Sequence, residues 1–226
     1  IYRNLENQEA FTGNHYLSNL VGLVYLGVLY PEYEEAGQWR EFGLAELERE
    51  MFNQVYPDGV NFEASTAYHR LVTELFLSAT ILAKMNGHSF GPSYMTRLEK
   101  MLDFIMYVTK PDGTSPQIGD TDNGRLHRLG LYSPPEREWI DYRYLLAVGA
   151  VLFDRKDFAC FAGDEWADAF WLFGDKALEF KSHLDSLPHS IFQLASRNFC
   201  NAGIFVLRDR NIHLVVDTGP VGQNGN

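Results

Sequence analysis

Apolar residues recur every three to four positions in four successive stretches of the first half of the chain, which predicts four amphipathic helices. Each stretch ends at a proline or at a turn sequence rich in Asn, Asp and Gly, where a helix is disfavoured. Ser65 is suited to cap the third helix, and Pro92 to the first turn of the fourth. The predicted helices cover residues 16–30, residues 39–55, a run from Ser65 to Asn86, and a run from Pro92 to about residue 110.

The second half of the chain has a different pattern. Residues 111–134 form a long polar connection, and connections of this length in compact domains usually carry function or lack order. Short β-branched and aromatic runs near the end predict antiparallel strands. We predict helices at residues 135–153 and 164–173, a helical turn at 175–181, and strands at 191–196, 203–209 and 211–219. The chain is therefore expected to be mainly α over residues 1–185 and to begin a β unit over residues 186–226.

Short links between the helices predict that neighbouring helices pack antiparallel. The first, third and fifth helices then point one way, and the second and fourth point the other. Three polar stretches fall at the same end of such a bundle: the start of the first helix, the loop into the third, and the 111–134 connection. We therefore expect the side chains of these stretches to meet on one face.

Side chains that bind anions or move protons are concentrated in these stretches. Asn14 and His15 stand where the first helix starts, and an amide at a helix N-terminus stabilises negative charge without carrying charge. Tyr68 and His69 stand in the first turn of the third helix and can exchange protons. Each also has a structural interpretation: a helix cap for Asn14, core packing for Tyr68, and an orienting or solvent-facing position for His69.

Composition restricts the choice of partner. The chain has 226 residues, of which 46% are hydrophobic, so it can bury a substantial core. A formal net charge of −11 argues against nucleic acid or an anionic membrane as partner, because phosphate binding requires a basic surface. No apolar run approaches the roughly 20 residues of a membrane span. Because the sequence starts with Ile1 and breaks off after a strand-like run, we expect a fragment or processed product.

Five stretches, taken in order, resemble the heparinase II/III-like polysaccharide lyases, a family that includes heparan sulfate lyases and oligoalginate lyases. They are Gly13-Asn14-His15, YPDGVNFEASTAYH at 56–69, GDTDNGR at 119–125, WLFG at 171–174 and LPHSIFQLASR at 187–197. The resemblance implies an incomplete (α/α) toroid of helical hairpins followed by an antiparallel β-sandwich, with the substrate cleft between them. It also implies cleavage of a uronic-acid-containing polysaccharide by β-elimination, which leaves an unsaturated sugar at the new non-reducing end.

The resemblance further implies roles for individual residues. Asn14 would bind and neutralise the uronate carboxylate with help from His15, and Tyr68 would be the catalytic acid or acid/base. From the residues themselves, and not from the resemblance, we predict a second group that binds the substrate: Glu63, His69, Asp120, Asp122 and Arg125. A further catalytic histidine is expected beyond Asn226. Catalysis would need no metal or other cofactor, although the sandwich portion could hold a structural divalent cation, and the protein would be periplasmic or secreted.

Two other functions stay open on the sequence alone. A glycoside hydrolase would pair Glu63 with Asp120 or Asp122, because hydrolysis needs two carboxyl groups that flank one bond. The same Asp-Asn-Gly sequence is foremost a turn former, which is its structural interpretation. A non-catalytic protein that binds glycans or assembles polysaccharides would keep the scaffold without turnover. Product analysis separates the three, since only elimination creates a double bond.

Overall fold

A computed structural model of the chain describes residues 2–7, 12–130, 135–184, 194–209 and 211–220. The α-helices in this part of the chain are α1 (Asn14–Leu29), α2 (Ala36–Gln54), α3 (Thr66–Met85), α4 (Pro92–Val108), α5 (Arg143–Phe153), α6 (Lys156–Ala162), α7 (Ala167–Phe173) and α8 (Asp175–Leu184). A 3-10 helix covers Pro135–Trp139, and three strands follow: β1 (Arg197–Phe199), β2 (Ile204–Asp209) and β3 (Ile212–Asp217).

The four helices predicted for the first half of the chain are confirmed, with bounds that differ by at most a few residues. Ser65 is the N-cap of α3, as predicted, because its hydroxyl accepts a hydrogen bond from the backbone N–H of Tyr68 at 3.1 Å. Pro92 is the first residue of α4, also as predicted. Local sequence signals therefore decide where these helices begin.

In the second half, the helices predicted at 164–173 and 175–181 are confirmed as α7 and α8, with bounds that differ by about three residues. The helix expected from residue 135 is wrong in its first part, since a 3-10 turn comes first and α5 begins only at Arg143. The buried carboxylate of Asp141 accepts the backbone N–H of Arg143 at 3.1 Å and so favours this later start. Asp154 then adopts a left-handed conformation with φ of 56°, which separates α5 from α6, a helix that the periodicity did not predict.

The core lies around α3, which packs against α1, α4 and α5 and buries side chains on most of its faces. Phe76 and Val72 of α3 are fully buried with Leu20 of α1, Leu102 of α4 and Leu146 of α5. Because α3 is central, the loops at its start are fixed from several sides. The N-terminal end of α3 is therefore held in a fixed position.

The strands form one antiparallel sheet in the order β1-β2-β3. Phe199 and Val206 on its inner face pack against Phe104 and Val108 of α4, which attaches the sheet to the helices. Of the first predicted strand, residues 191–193 lie outside the described part of the chain, and residues 194–196 are not in a strand, since β1 begins at Arg197. No helix in the described ranges is long and apolar enough to cross a membrane.

Candidate active site

The three polar stretches predicted to share one end of the bundle do meet there. The side-chain amide of Asn14, at the start of α1, lies 3.3 Å from both carboxylate oxygens of Glu63 in the loop before α3. The hydroxyl of Tyr68 donates to Oδ2 of Asp122 in the 111–134 connection at 3.3 Å. We call Asn14, His15, Glu63, Tyr68, Asp120 and Asp122 the polar cluster. The prediction of a shared face is therefore confirmed.

The first part of the connection is attached to the start of α3. The backbone N–H of Thr66 donates to the carbonyl of Ile118 at 3.0 Å, and the Thr66 hydroxyl accepts from the N–H of Ile118 at 3.2 Å. The Ser65 hydroxyl donates to the carbonyl of Asp120 at 2.5 Å. Gly119 has φ of +74°, and a Cβ there would lie 2.6 Å from the carbonyl oxygen of Ala64. The two loops therefore approach each other so closely that only glycine fits at position 119.

Residues farther along α3 hold the next part of the connection. Arg70 donates through Nη2 to the carbonyl of Gly124 at 2.7 Å. The buried carboxylate of Glu74 accepts the backbone N–H groups of Leu126 at 3.0 Å and His127 at 3.2 Å. Since both flanks of the segment are fixed to α3, the exposed Asp120 and Asp122 between them are presented at a defined position.

Arg125 does not have the substrate contact that was predicted for it. Its side chain has no exposed surface, and its Nη2 donates to Asp168 at 2.9 Å while its Nε lies 3.8 Å from Glu74. The guanidinium also lies 4.0 Å from the centre of the Tyr144 ring. Burial raises the pKa of Glu74 and of Asp168, and the Arg125 charge opposes that rise. Arg125 thus anchors the connection and offers no group to a ligand.

His69 likewise lies in the interior, contrary to the predicted substrate contact. Its Nδ1 accepts the backbone N–H of Asn61 at 3.2 Å, and its Nε2 donates to the carbonyl of Met101 at 3.0 Å. Burial lowers the pKa of His69 to about 4, so the ring is neutral near pH 7. The Asn61 side chain in turn accepts the N–H of Glu63 at 3.1 Å. His69 therefore positions the loop that carries Glu63, as its structural interpretation proposed.

The phenol of Tyr68 is half-buried at the edge of the polar cluster. Its pKa is raised from the usual value near 10, first by burial and then by the negative charges of Asp122, Asp120 and Glu63. A phenol with this pKa keeps its proton at neutral pH. Tyr68 is therefore suited to donate a proton. The interpretation of Tyr68 as a core-packing residue does not explain why its hydroxyl faces carboxylates.

Asn14 is the first residue of α1, and Gly13 is the N-cap, so the interpretation of Asn14 as the cap is wrong. Its side-chain amide binds the Glu63 carboxylate, with both oxygens 3.3 Å from the amide nitrogen. Burial raises the pKa of Glu63, while the hydrogen bonds of Asn14 and the charge of His15 oppose that rise. His15 is exposed, and its Nδ1 lies 2.9 Å from a carboxylate oxygen of Glu6. The helix start thus already binds an anionic group.

Two residues that fix the site were missed at the level of sequence: Asn61 and Glu74. Glu74 carries a signal, since it is a carboxylate within the apolar stripe of a central helix, and such a residue needs a buried partner. Asn61 carries no sequence signal of this kind apart from its position before a turn. Within the described residues, no three His, Cys, Asp or Glu side chains lie close enough to hold a metal ion.

One cavity in the described part of the chain lies away from the polar cluster. It has a volume of about 420 Å³ and lies between the N-terminal segment at Tyr2 and Arg3, the later part of α1 at Leu26, and Trp39 of α2. The polar cluster lies at the other end of α1, around its first residue Asn14.

Comparisons with known proteins bear on the same region. The family model for the heparinase II/III N-terminus matches residues 3–130, more than half of the chain. A heparin-sulfate lyase of Bacteroides stercoris is 36% identical over 110 residues, which cover 48% of this chain and 16% of that protein. A heparin-sulfate lyase of Pedobacter heparinus is 34% identical over 119 residues, which cover 52% of this chain and 18% of that protein.

The crystal structure of a heparan sulfate lyase from Pedobacter heparinus superposes with a TM-score of 0.64 at 24% identity, over 98% of this chain and 30% of that one. The chain therefore spans less than a third of this structural relative. The likeness confirms the predicted fold class, a portion of a helical toroid followed by antiparallel strands. The family match over residues 3–130 and the shared fold together show that the chain belongs to the heparinase II/III family.

Proposed function

We propose that the complete protein cleaves a uronic-acid-containing polysaccharide by β-elimination. The observation that carries the proposal is that an amide and a protonated phenol lie in one polar cluster, where Asn14 contacts the Glu63 carboxylate and Tyr68 donates to Asp122. Asn14 binds Glu63 directly, and the charge of Glu63 contributes to the raised pKa of Tyr68. These two groups, which are far apart in sequence, therefore act on the same small region of surface.

The amide suits the first step of an elimination. The proton on C5 of a uronate is weakly acidic, and its removal builds negative charge on the adjacent carboxylate. Donors aimed at that carboxylate lower the barrier, and they act more strongly when they are fixed in advance. Asn14 supplies such a donor, and the N-terminus of α1 adds about half a positive charge.

The phenol suits the second step, in which the glycosidic oxygen leaves. Because the pKa of Tyr68 is raised, the hydroxyl is protonated and can give its proton to the leaving oxygen. His69 is excluded as the base because both of its ring nitrogens are bonded inside the core. The base is then the exposed His15 or a histidine from a part of the protein outside this sequence.

The substrate is proposed by class only. The relatives are named heparin-sulfate lyases, which makes heparan sulfate the first polysaccharide to assay. We also propose that residues 1–185 belong to the toroid and that residues 186–226 begin a β-sandwich. The outer face of the sheet supports this division, because it is apolar and exposed at Phe205, Leu207, Ile212 and Leu214. A second sheet packed on this face would bury these side chains.

A glycoside hydrolase is the second candidate, and one observation favours it. Burial, and to a lesser extent the negative charge of Asp120, raises the pKa of Glu63, and a carboxylic acid beside a carboxylate is the pairing that hydrolysis uses. Hydrolysis adds water and leaves no chromophore, so product analysis decides between the two reactions. The Asn14 amide has no comparable role in hydrolysis.

The experiment is an ultraviolet assay for unsaturated product with the complete protein and heparan sulfate. Tyr68→Phe and Asn14→Ala should each lower kcat/KM at least about 100-fold and leave the circular dichroism spectrum unchanged. Tyr33→Phe, an exposed tyrosine outside the polar cluster, is the matched control and should retain full activity. Unchanged activity in both site variants would contradict the assignments.

A further inference from the structure

The Glu63 carboxylate occupies the position at which the proposed function requires an anionic ligand. Both of its oxygens lie 3.3 Å from the Asn14 amide nitrogen. The N-cap residue Gly13 has no side chain with which to cap α1. The protein thus fills its own anion site at the start of α1 with a carboxylate from the loop before α3.

The backbone of Glu63 is fixed in this position. Its N–H donates to the Asn61 side chain at 3.1 Å, and Asn61 is itself held by the Gln54 carbonyl at 3.1 Å. The next residue, Ala64, has φ of 53°, a left-handed conformation that is rare for a residue with a Cβ. A loop that retains such a conformation is held by its surroundings. Glu63 therefore faces α1 because the loop is built to present it there.

Charged and titratable groups surround Glu63 on each element packed against it. His15 lies on α1, Asp120 lies on the connection, and Tyr68 lies on α3. Burial and the charge of Asp120 favour the neutral form of Glu63, whereas the Asn14 hydrogen bond and the charge of His15 favour the ionised form, and the balance raises the pKa of Glu63. The carboxyl is thus closer to accepting a proton than an exposed glutamate is.

A uronate carboxylate at Asn14 would meet this carboxylate directly. Two carboxylates that share one amide repel each other, and such pairs relieve the repulsion when one member takes up a proton. A protonated carboxyl gains an O–H donor, which can point at the ionised partner. The substrate carboxylate stays ionised in this pair because Glu63 is the buried member.

We propose that Glu63 takes up one proton from solvent when the uronate carboxylate binds at Asn14, so that substrate binding is coupled to the neutralisation of this side chain. The inference rests on the proposed function, since it takes the ligand to be a uronate held by Asn14. It adds a specific consequence, which is that the affinity for the acidic glycan falls as pH rises above the pKa of Glu63.

The test is calorimetric titration with a heparan sulfate oligosaccharide, carried out in buffers of different ionisation enthalpy. The complete protein with Tyr68→Phe is used, so that turnover does not interfere. Proton uptake should approach about one per bound oligosaccharide as pH rises above the pKa of free Glu63, and Glu63→Gln should abolish it. Glu41→Gln, which removes an exposed carboxylate of α2, should leave proton uptake unchanged and controls for net charge.

Three results would overturn the inference: unchanged proton uptake in Glu63→Gln, uptake that disappears only in His15→Gln, or no binding at any pH. The active protein gives a second measurement, because kcat/KM should fall up to about tenfold per pH unit above the pKa of Glu63 and fall less steeply in Glu63→Gln. Unsaturated product without Glu63-dependent uptake would refute this inference alone. Glu63-dependent uptake without unsaturated product would refute the proposed function alone.

Discussion

Arg125→Met tests whether a buried ion pair holds the connection against α3. The substitution keeps the apolar length of the side chain and removes its charge. Glu74 and Asp168 then remain buried without the guanidinium, and loss of one partner of a buried pair costs about 3–5 kcal/mol. We expect a loss near 3 kcal/mol, the lower end, because Glu74 keeps the backbone N–H groups of Leu126 and His127.

Arg128→Met is the matched control, since it changes the same residue type three positions away in the same connection. The Arg128 side chain is 58% exposed, and its Nε lies 3.2 Å from Glu138. Exposed pairs of this kind contribute about 0–1 kcal/mol. Urea-induced unfolding at neutral pH, followed by tryptophan fluorescence, measures the free energy of unfolding of both variants. Equal losses in Arg125→Met and Arg128→Met would refute the assignment of Arg125 as the anchor.

The pH dependence gives a further check on Arg125→Met. Burial raises the pKa of Glu74 and Asp168, and the Arg125 charge opposes that rise, so the variant should raise both pKa values further. A carboxyl with a raised pKa in the folded state loses stability as pH rises through that pKa. The deficit of the variant should therefore be smallest at acid pH and increase toward neutral pH. A deficit that is independent of pH would contradict this reasoning.

Three other variants test the support of the site. Burial lowers the pKa of His69 from 6.5 to about 4, so the free energy of unfolding should fall by about 3 kcal/mol between pH 6.5 and pH 4. His69→Gln should remove that dependence when unfolding is measured across this range. Gly119→Ala should lower the melting temperature and the lyase activity more than Gly87→Ala does. Both glycines have positive φ, but only a Cβ at position 119 would meet a backbone carbonyl oxygen, at 2.6 Å. Asp122→Asn should move the alkaline limb of the kcat profile to lower pH, because the Asp122 charge helps to raise the pKa of Tyr68; an unmoved limb would exclude Tyr68 as the group that titrates there.

Periodicity and end signals were enough to predict the first four helices and the position of the polar cluster. The N-cap at Ser65 and the proline at 92 mark the helix starts locally, and antiparallel packing then brings Asn14, Glu63 and Tyr68 to one end. The sequence did not reveal which polar side chains turn inward. Arg125 lies in a polar, turn-rich stretch, yet Glu74 and Asp168 provide it with a buried position that only the packing of α3 and α7 creates.

The second half of the chain was harder to predict for a similar reason. The start of α5 depends on the buried carboxylate of Asp141, and the break before α6 depends on the left-handed Asp154, neither of which has a periodic signal. Tertiary contacts decide both features. His69 is a comparable case, since its position beside Tyr68 suggested chemistry whereas the Asn61 N–H and the Met101 carbonyl bind both of its nitrogens.

The most direct test of the central claim is the product formed by the complete protein from heparan sulfate in isotopically labelled water. Elimination assisted by Asn14 and Tyr68 predicts fragments that absorb in the ultraviolet and contain no oxygen from the solvent, and it predicts that Tyr68→Phe forms almost none. Fragments without a double bond that carry the labelled oxygen would contradict the account, as would full product formation by Tyr68→Phe.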